Sequence, residues 1–176
     1  MAQITQRRKN ILESSLPELN KRLRKAQEDV KIAKEYGDLS ENAEYETATN
    51  KVRQTYAEIQ QIEEKLKEAQ VVSDDGGKEI KVGSYIKVTT VDKDNNPLEE
   101  PMLFVVDTVE SLFEGSLGVN SPLGRKIIGN TSGYYDVVSN YDVLTRYYVE
   151  KLSNDVEVTF EEMYPPNPKM FGDDIE

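Results

Sequence analysis

Five carboxylates crowd one short stretch of this 176-residue chain. Glu35, Asp38, Glu41, Glu44 and Glu46 stand within twelve residues, with no Lys or Arg among them. Carboxylate oxygens are hard donors suited to Mg²⁺ or Ca²⁺, and where no cation sits they repel phosphate. Two readings of the cluster stay open. Acids gathered at a helix N-terminus favour the macrodipole and form an ordinary solvated face. Alternatively, a carboxylate pair is being delivered to a cation held elsewhere. The composition excludes most other chemistry. The absence of Cys removes disulfides, thiolate zinc sites and Cys nucleophiles. The absence of His removes Ser-His-Asp triads, His-ligated metals and the commonest general base.

The elements around the acids form a rod. Leu12, Leu16, Leu19, Leu23, Ala26, Val30 and Ala33 recur at alternating spacings of 4 and 3, a heptad seam. Pro17 interrupts this run and suits a kink or a helix start. A second seam follows at Tyr45, Ala48, Val52, Thr55, Ile59, Ile62, Leu66 and Ala69. Only Gly37-Asp38-Leu39-Ser40 reads as a turn between them. Gly37 suits a left-handed position after a helix. Asp38, with Glu41 three residues on, fits a capping box opening the second helix. Helices joined by so short a turn pack antiparallel, so residues 1–72 are expected to form a coiled-coil hairpin with its acidic tip at 37–44. The shaft differs from the tip: Arg7, Arg8, Lys9, Lys21, Arg22, Arg24 and Lys25 outnumber Glu13 and Glu18.

Charge separates this half from the rest. Residues 1–72 hold 13 Lys or Arg against 13 Asp or Glu, and the remainder hold 9 against 20. The whole net charge of −11 therefore lies beyond the hairpin, which argues for two parts with different roles. So acidic a half is poorly suited to binding free nucleic acid. Residues 73–78 read as a linker with Gly76-Gly77 as breaker. Alternating or β-branched runs at 84–89, 102–106, 134–138 and 143–152 read as strands. Asn120 to Gly129 reads as a turn and a short helix, with Ser121 and Pro122 shaping the turn. An α+β domain is expected over 79–160. Val156, Val158 and Phe160 alternate and suit an added edge strand. The acidic, Pro-containing tail at 161–176 is expected to be mobile. The tyrosines at 134, 135, 141, 147 and 148 lack the interleaved basic residues of a single-strand nucleic-acid platform and read as strand and core residues. No apolar run is long enough to span a membrane, and no basic-then-apolar leader opens the chain.

The tip, Glu35-Tyr36-Gly37-Asp38-Leu39-Ser40-Glu41-Asn42-Ala43-Glu44-Tyr45, resembles that of bacterial Gre transcript-cleavage factors. Val119-Asn120-Ser121-Pro122-Leu123-Gly124-Arg125-Lys126-Ile127-Ile128-Gly129 resembles the Ser-Pro segment of their FKBP-like C-terminal domain. The resemblance covers roughly residues 8–152. It implies a two-domain α+β fold: an N-terminal antiparallel α-helical coiled-coil hairpin, then a C-terminal FKBP-like domain. It also implies a function, binding bacterial RNA polymerase through its secondary channel and stimulating cleavage of backtracked RNA. Asp38 and Glu41 would complete a second Mg²⁺ site held mainly by the polymerase, acting on the RNA 3′ end. Gly37, Leu39, Ser40, Asn42, Glu44 and Tyr45 would support the tip, and Lys34 would contact RNA or the channel. Ser121 and Pro122 would shape a turn or touch polymerase.

Such a protein would be no enzyme on its own, would bind no metal alone, and is expected to be a cytoplasmic monomer. Departures from the family pattern are also visible. Thr49 stands where the family's second helix is often basic, with Lys51 and Arg53 nearby. About 24 residues extend past the usual end. These point to a divergent member. Two alternatives remain: a Gre-fold paralogue that inhibits or modulates polymerase without cleavage, and a coiled-coil adaptor unrelated to polymerase.

Overall fold

The computed structural model describes residues 2–37, 42–108 and 115–165. In chain order the elements are β1 (Ala2–Ile4), α1 (Gln6–Glu35), α2 (Ala43–Glu68), β2 (Ala69–Val71), β3 (Tyr85–Val91), β4 (Met102–Asp107), β5 (Ser116–Gly118), α3 (Pro122–Ile127), β6 (Gly133–Val138), β7 (Leu144–Lys151) and α4 (Glu157–Met163). A 3₁₀ turn at Asn154–Val156 precedes α4. The chain divides into a helical unit, chiefly 8–69, and a globular unit, chiefly 3–7 and 70–166.

In the helical unit, every residue of the two expected seams is buried or half-buried, Leu19 and Ala26 almost completely. Cross-helix pairs set the direction. Asn42 Nδ2 lies 3.1 Å from the Ala33 carbonyl oxygen, and Arg22 lies 3.7 Å from Glu58. Positions rise along α1 as they fall along α2, so the helices run antiparallel. At 1.5 Å per residue, the 30 residues of α1 reach about 45 Å. Most helix stability in proteins comes from packing of an apolar face, so burial of the seam holds the pair. Pro17 does not start a helix; α1 runs through it. The strands β1 and β2 pair at the hairpin's open end, which the seam pattern did not show.

The globular unit is built on a five-stranded sheet of order β5-β4-β3-β7-β6, antiparallel except for the parallel β4–β5 pair. Strand alternation splits its side chains between two faces. Ile86, Val88, Val106, Val137 and Val149 point to one face and pack with Leu123 and Ile127 of α3. Tyr85 and Val105 point to the other and pack with Phe160 of α4. This is the FKBP-like α+β domain that the resemblance implied.

The C-terminal segment differs from expectation. Val156 belongs to the 3₁₀ turn, and Val158 and Phe160 to α4, so there is no edge strand here. Phe160 and Tyr164, four residues apart, share one helical face, which a two-residue alternation cannot reveal. Their rings meet at a tilt of 44° with centres 5.0 Å apart, and Tyr85 meets Phe160 edge-on at 5.3 Å. The Arg7 guanidinium lies 5.1 Å from the Phe160 ring centre, pairs with Glu161 at 3.0 Å and donates to the Tyr164 carbonyl. Glu161 to Met163, read as part of a mobile tail, therefore belong to an anchored helix, while residues 166–176 lie outside the described residues.

Candidate functional site: the hairpin tip

The last turn of α1 closes with Tyr36 N donating to the Ala33 carbonyl at 3.2 Å. Gly37 follows at φ +106°, a left-handed conformation that lets the chain leave the helix without a Cβ clash. Asp38, Leu39, Ser40 and Glu41 lie outside the described residues. The chain resumes at Asn42, which caps α2: its Oδ1 accepts from Tyr45 N at 3.0 Å, and its carbonyl accepts from Glu46 N at 3.1 Å. The start of α2 is therefore at Ala43, capped by Asn42, rather than at the capping box read on Asp38 and Glu41.

Asn42 does more than cap. Its Nδ2 donates to the Ala33 carbonyl, one of the C-terminal acceptors that a helix cannot satisfy internally. One side chain thus ties the last turn of α1 to the first turn of α2. It joins the two helices that flank residues 38–41 in the chain. Sequence reading placed Asn42 among tip-supporting residues; the bond across to α1 needed three dimensions to appear.

The remaining tip residues are accounted for as follows. Glu44, in the first turn of α2, is exposed, and Tyr45 is half-buried on the seam. Lys34 is exposed in the last turn of α1. Thr49 is half-buried, while Lys51 and Arg53 are exposed. A shallow groove of about 450 Å³ runs beside the tip, lined by Asp29, Ile32, Glu44 and Lys51 among others. Its cation, Lys51, stands seven residues along α2 from Glu44, about two helical turns. Among the described residues, no three acidic groups gather closely enough to hold a metal unaided.

Ser121 and Pro122 lie in the globular unit, not at the tip. Ser121 Oγ accepts from Gly124 N at 3.0 Å and donates to the Gly118 carbonyl at 2.7 Å, so it caps α3 and closes the preceding turn. Pro122 takes the first helical position, where its missing N–H costs nothing. Gly124 packs so tightly that an added Cβ would sit 2.0 Å from the Gly118 oxygen. Both Ser121 and Pro122 also line a pocket of about 350 Å³ with Val88, Met102, Phe104 and Leu117. Glu99 and Glu100 are in its lining, and among the described residues no Lys or Arg is.

Known proteins give this geometry a context. The family model for the N-terminal part of transcription elongation factors GreA and GreB matches residues 2–71, the hairpin with its two short strands. The transcription elongation factor GreA of Streptococcus pneumoniae (strain Hungary19A-6) is 32% identical over 148 residues, spanning 80% of this chain and 90% of that protein. The GreA of Thermotoga neapolitana is 30% identical over 145 residues, spanning 81% and 91%. The chain belongs to the GreA family of transcription elongation factors. Among solved structures, the GreA factor homolog 1 (Gfh1) of Thermus thermophilus aligns over 85% of this GreA-family chain and 97% of its own, at 17% identity and a TM-score of 0.41. Gfh1 of Thermus aquaticus aligns over 85% and 96%, at 19% identity and a TM-score of 0.40. No helix among the described residues of this GreA-family member is long and apolar enough to cross a membrane.

Proposed function

We propose that this GreA-family protein binds bacterial RNA polymerase, enters its secondary channel with the hairpin, and stimulates the polymerase's own cleavage of backtracked RNA. The observation that carries the reading is the tip. Two helices, the longer about 45 Å, are tied together by one side chain beside the short acidic stretch that links them in sequence. The hairpin supplies reach, and Asn42 supplies a fixed base for the segment.

Asp38 and Glu41 are the two carboxylates assigned to the chemistry. Their oxygens fit Mg²⁺, which takes oxygen ligands and is often held by one or two carboxylates together with phosphate and water. Two carboxylates do not make a two-metal site, so the polymerase would supply the remaining ligands and hold the ion. Mg²⁺, when bound, neutralises charge on the phosphodiester and acidifies water. Asp38 and Glu41 would coordinate the ion and orient the attacking water. The protein by itself is then no nuclease. Lys34, exposed one turn from the tip, would offset charge on RNA or the channel wall. Ser121 and Pro122 would shape the globular surface that meets polymerase. Polymerase, with the backtracked RNA 3′ end inside it, would be the working partner, which places the protein in the cytoplasm.

One observation favours a second reading. Thr49 is uncharged and half-buried where the family's second helix is often basic. A hairpin with less hold on extruded RNA would suit a channel-binding modulator that does not promote cleavage.

Backtracked elongation complexes with labelled RNA separate these readings. Shortened RNA with the wild-type protein, lost in Asp38→Ala and Glu41→Ala at matched polymerase binding, is the expected result. Binding without cleavage, with competition against an active cleavage factor, selects the modulator. Absence of polymerase binding defeats both readings and leaves the adaptor.

A further inference from the structure

The outer face of the β6–β7 hairpin carries a patch that the proposed function does not use. The register places Tyr134 opposite Tyr148, Asp136 opposite Arg146 and Val138 opposite Leu144. These six point away from α3, because the alternate residues Tyr135, Val137, Tyr147 and Val149 belong to the core on the α3 side. The face is therefore three rows. The Tyr134 and Tyr148 rings meet at a tilt of 44° with their centres 4.9 Å apart. Arg146 grips Asp136 through Nε at 2.7 Å and Nη2 at 3.0 Å. Val138 and Leu144 close the ladder. Tyr134, Val138 and Leu144 remain 51%, 55% and 68% exposed. Scattered apolar residues at a surface are ordinary, but here an apolar row, an ion-paired row and a tyrosine row follow one another on one face of two neighbouring strands.

We propose that this face is an interface with a second copy of the chain, built about a two-fold axis parallel to the strands and passing between β6 and β7. That symmetry lays each β6 residue over a β7 residue of the mate. Tyrosine then meets tyrosine, Val138 meets Leu144, and Asp136 meets Arg146. An axis across the strands would instead set Asp136 on Asp136, so the charges choose between the two. The bonding supports the choice. Arg146 has five N–H donors and uses three, two on Asp136 and one on Asn95 at 3.2 Å. Two remain for the mate's carboxylate.

Charge also favours a second copy over a foreign partner. Each patch holds one Asp and one Arg and is neutral, within a chain of net charge −11. Strong charge of either sign would find no complement there, whereas a copy of the same patch does, as an isologous contact requires. The exposures amount to roughly 500 Å² a copy, short of the ≈ 800 Å² a side of a standard interface, so the dimer is weak and concentration-dependent.

Sedimentation of the full chain over a wide concentration range tests this. The expected result is a mass rising from 20.0 kDa towards twice that value. Asp136→Arg alone and Arg146→Asp alone each oppose like charges across the axis and should sediment as monomers. Mixed together, each restores the other's pairs, and the heavier species should return. Leu144→Ser, at an exposed position that keeps the ion pair, should weaken association with unchanged near-ultraviolet circular dichroism. It stands in should the charge variants fold poorly. A wild-type mass that stays at one chain at every concentration overturns the proposal. So does association that survives both charge reversals, or that mixing fails to restore between folded variants.

Discussion

Replacing Asn42 with Ala removes two bonds with separable roles. Loss of the N-cap to Tyr45 N costs about 1 kcal/mol. Loss of the bond from Nδ2 to the Ala33 carbonyl costs up to about another 1 kcal/mol, less where water replaces the donor at this half-exposed position. The hairpin should thus lose between about 1 and 2 kcal/mol. Asn42→Asp separates the parts: a carboxylate still caps α2 but cannot donate to Ala33, so it should recover about 1 kcal/mol. Urea unfolding followed at 222 nm gives the energies, and amide exchange at Tyr45 and Glu46 reports the cap directly. If the bracket orients Asp38 and Glu41, cleavage in backtracked complexes should fall by up to roughly 30-fold in Asn42→Ala at matched polymerase binding, since about 1.4 kcal/mol is tenfold in rate. An Asp variant as unstable as the Ala variant, or an Ala variant with unchanged amide exchange, would refute the assignment of the cap.

Phe160 is fully buried between two tyrosine rings, so Phe160→Ala should cost about 3–5 kcal/mol and speed amide exchange throughout α4, which is too short to persist undocked. Gly124→Ala should cost about 3 kcal/mol by urea unfolding, because the Gly118 carbonyl cannot yield without moving β5; wild-type stability would contradict the close approach. Lys151 Nζ lies 2.9 Å from Asp74 in a pair almost wholly shielded from solvent. Burial pushes the Asp74 carboxyl up, but hydrogen bonds from Lys151, Ser84 and the Gly76 N–H outweigh it and hold it below 3.8. Its contribution is therefore complete above the ordinary carboxylate pKa and fades as pH falls through the lower folded value. Lys151→Met should cost about 3 kcal/mol at neutral pH and lessen the loss of stability in acid, checked by thermal melts across the acid range.

Much of this protein could be read directly from its residues, for a physical reason. The two seams, the breaker at Gly37 and the acids around it are local patterns. A helix buries a stripe of period 3.6 whatever its partner, so Leu12 to Ala33 and Tyr45 to Ala69 declared the hairpin and its tip. Strands β3, β4, β6 and β7 announced themselves by alternation or by β-branched and aromatic runs, and Ser121-Pro122 read as a turn before a short helix, which the structure shows Ser121 to cap. Three-residue strands such as β1, β2 and β5 carry no such pattern; each exists only because a neighbour offers its backbone. The C-terminal segment misled for the same reason. Val156, Val158 and Phe160 alternate as a strand does, yet Arg7, Tyr85 and Val105 create a seat that a helix fills with Phe160 and Tyr164. Residue type and spacing alone determined what chemistry this chain can offer. Tertiary structure decided that Asn42 reaches back to Ala33, that Lys151 reaches Asp74 and that Arg7 lies against Phe160. Those bonds join residues 9, 77 and 153 positions apart, and only the closed fold brings such distant groups within hydrogen-bonding or stacking range.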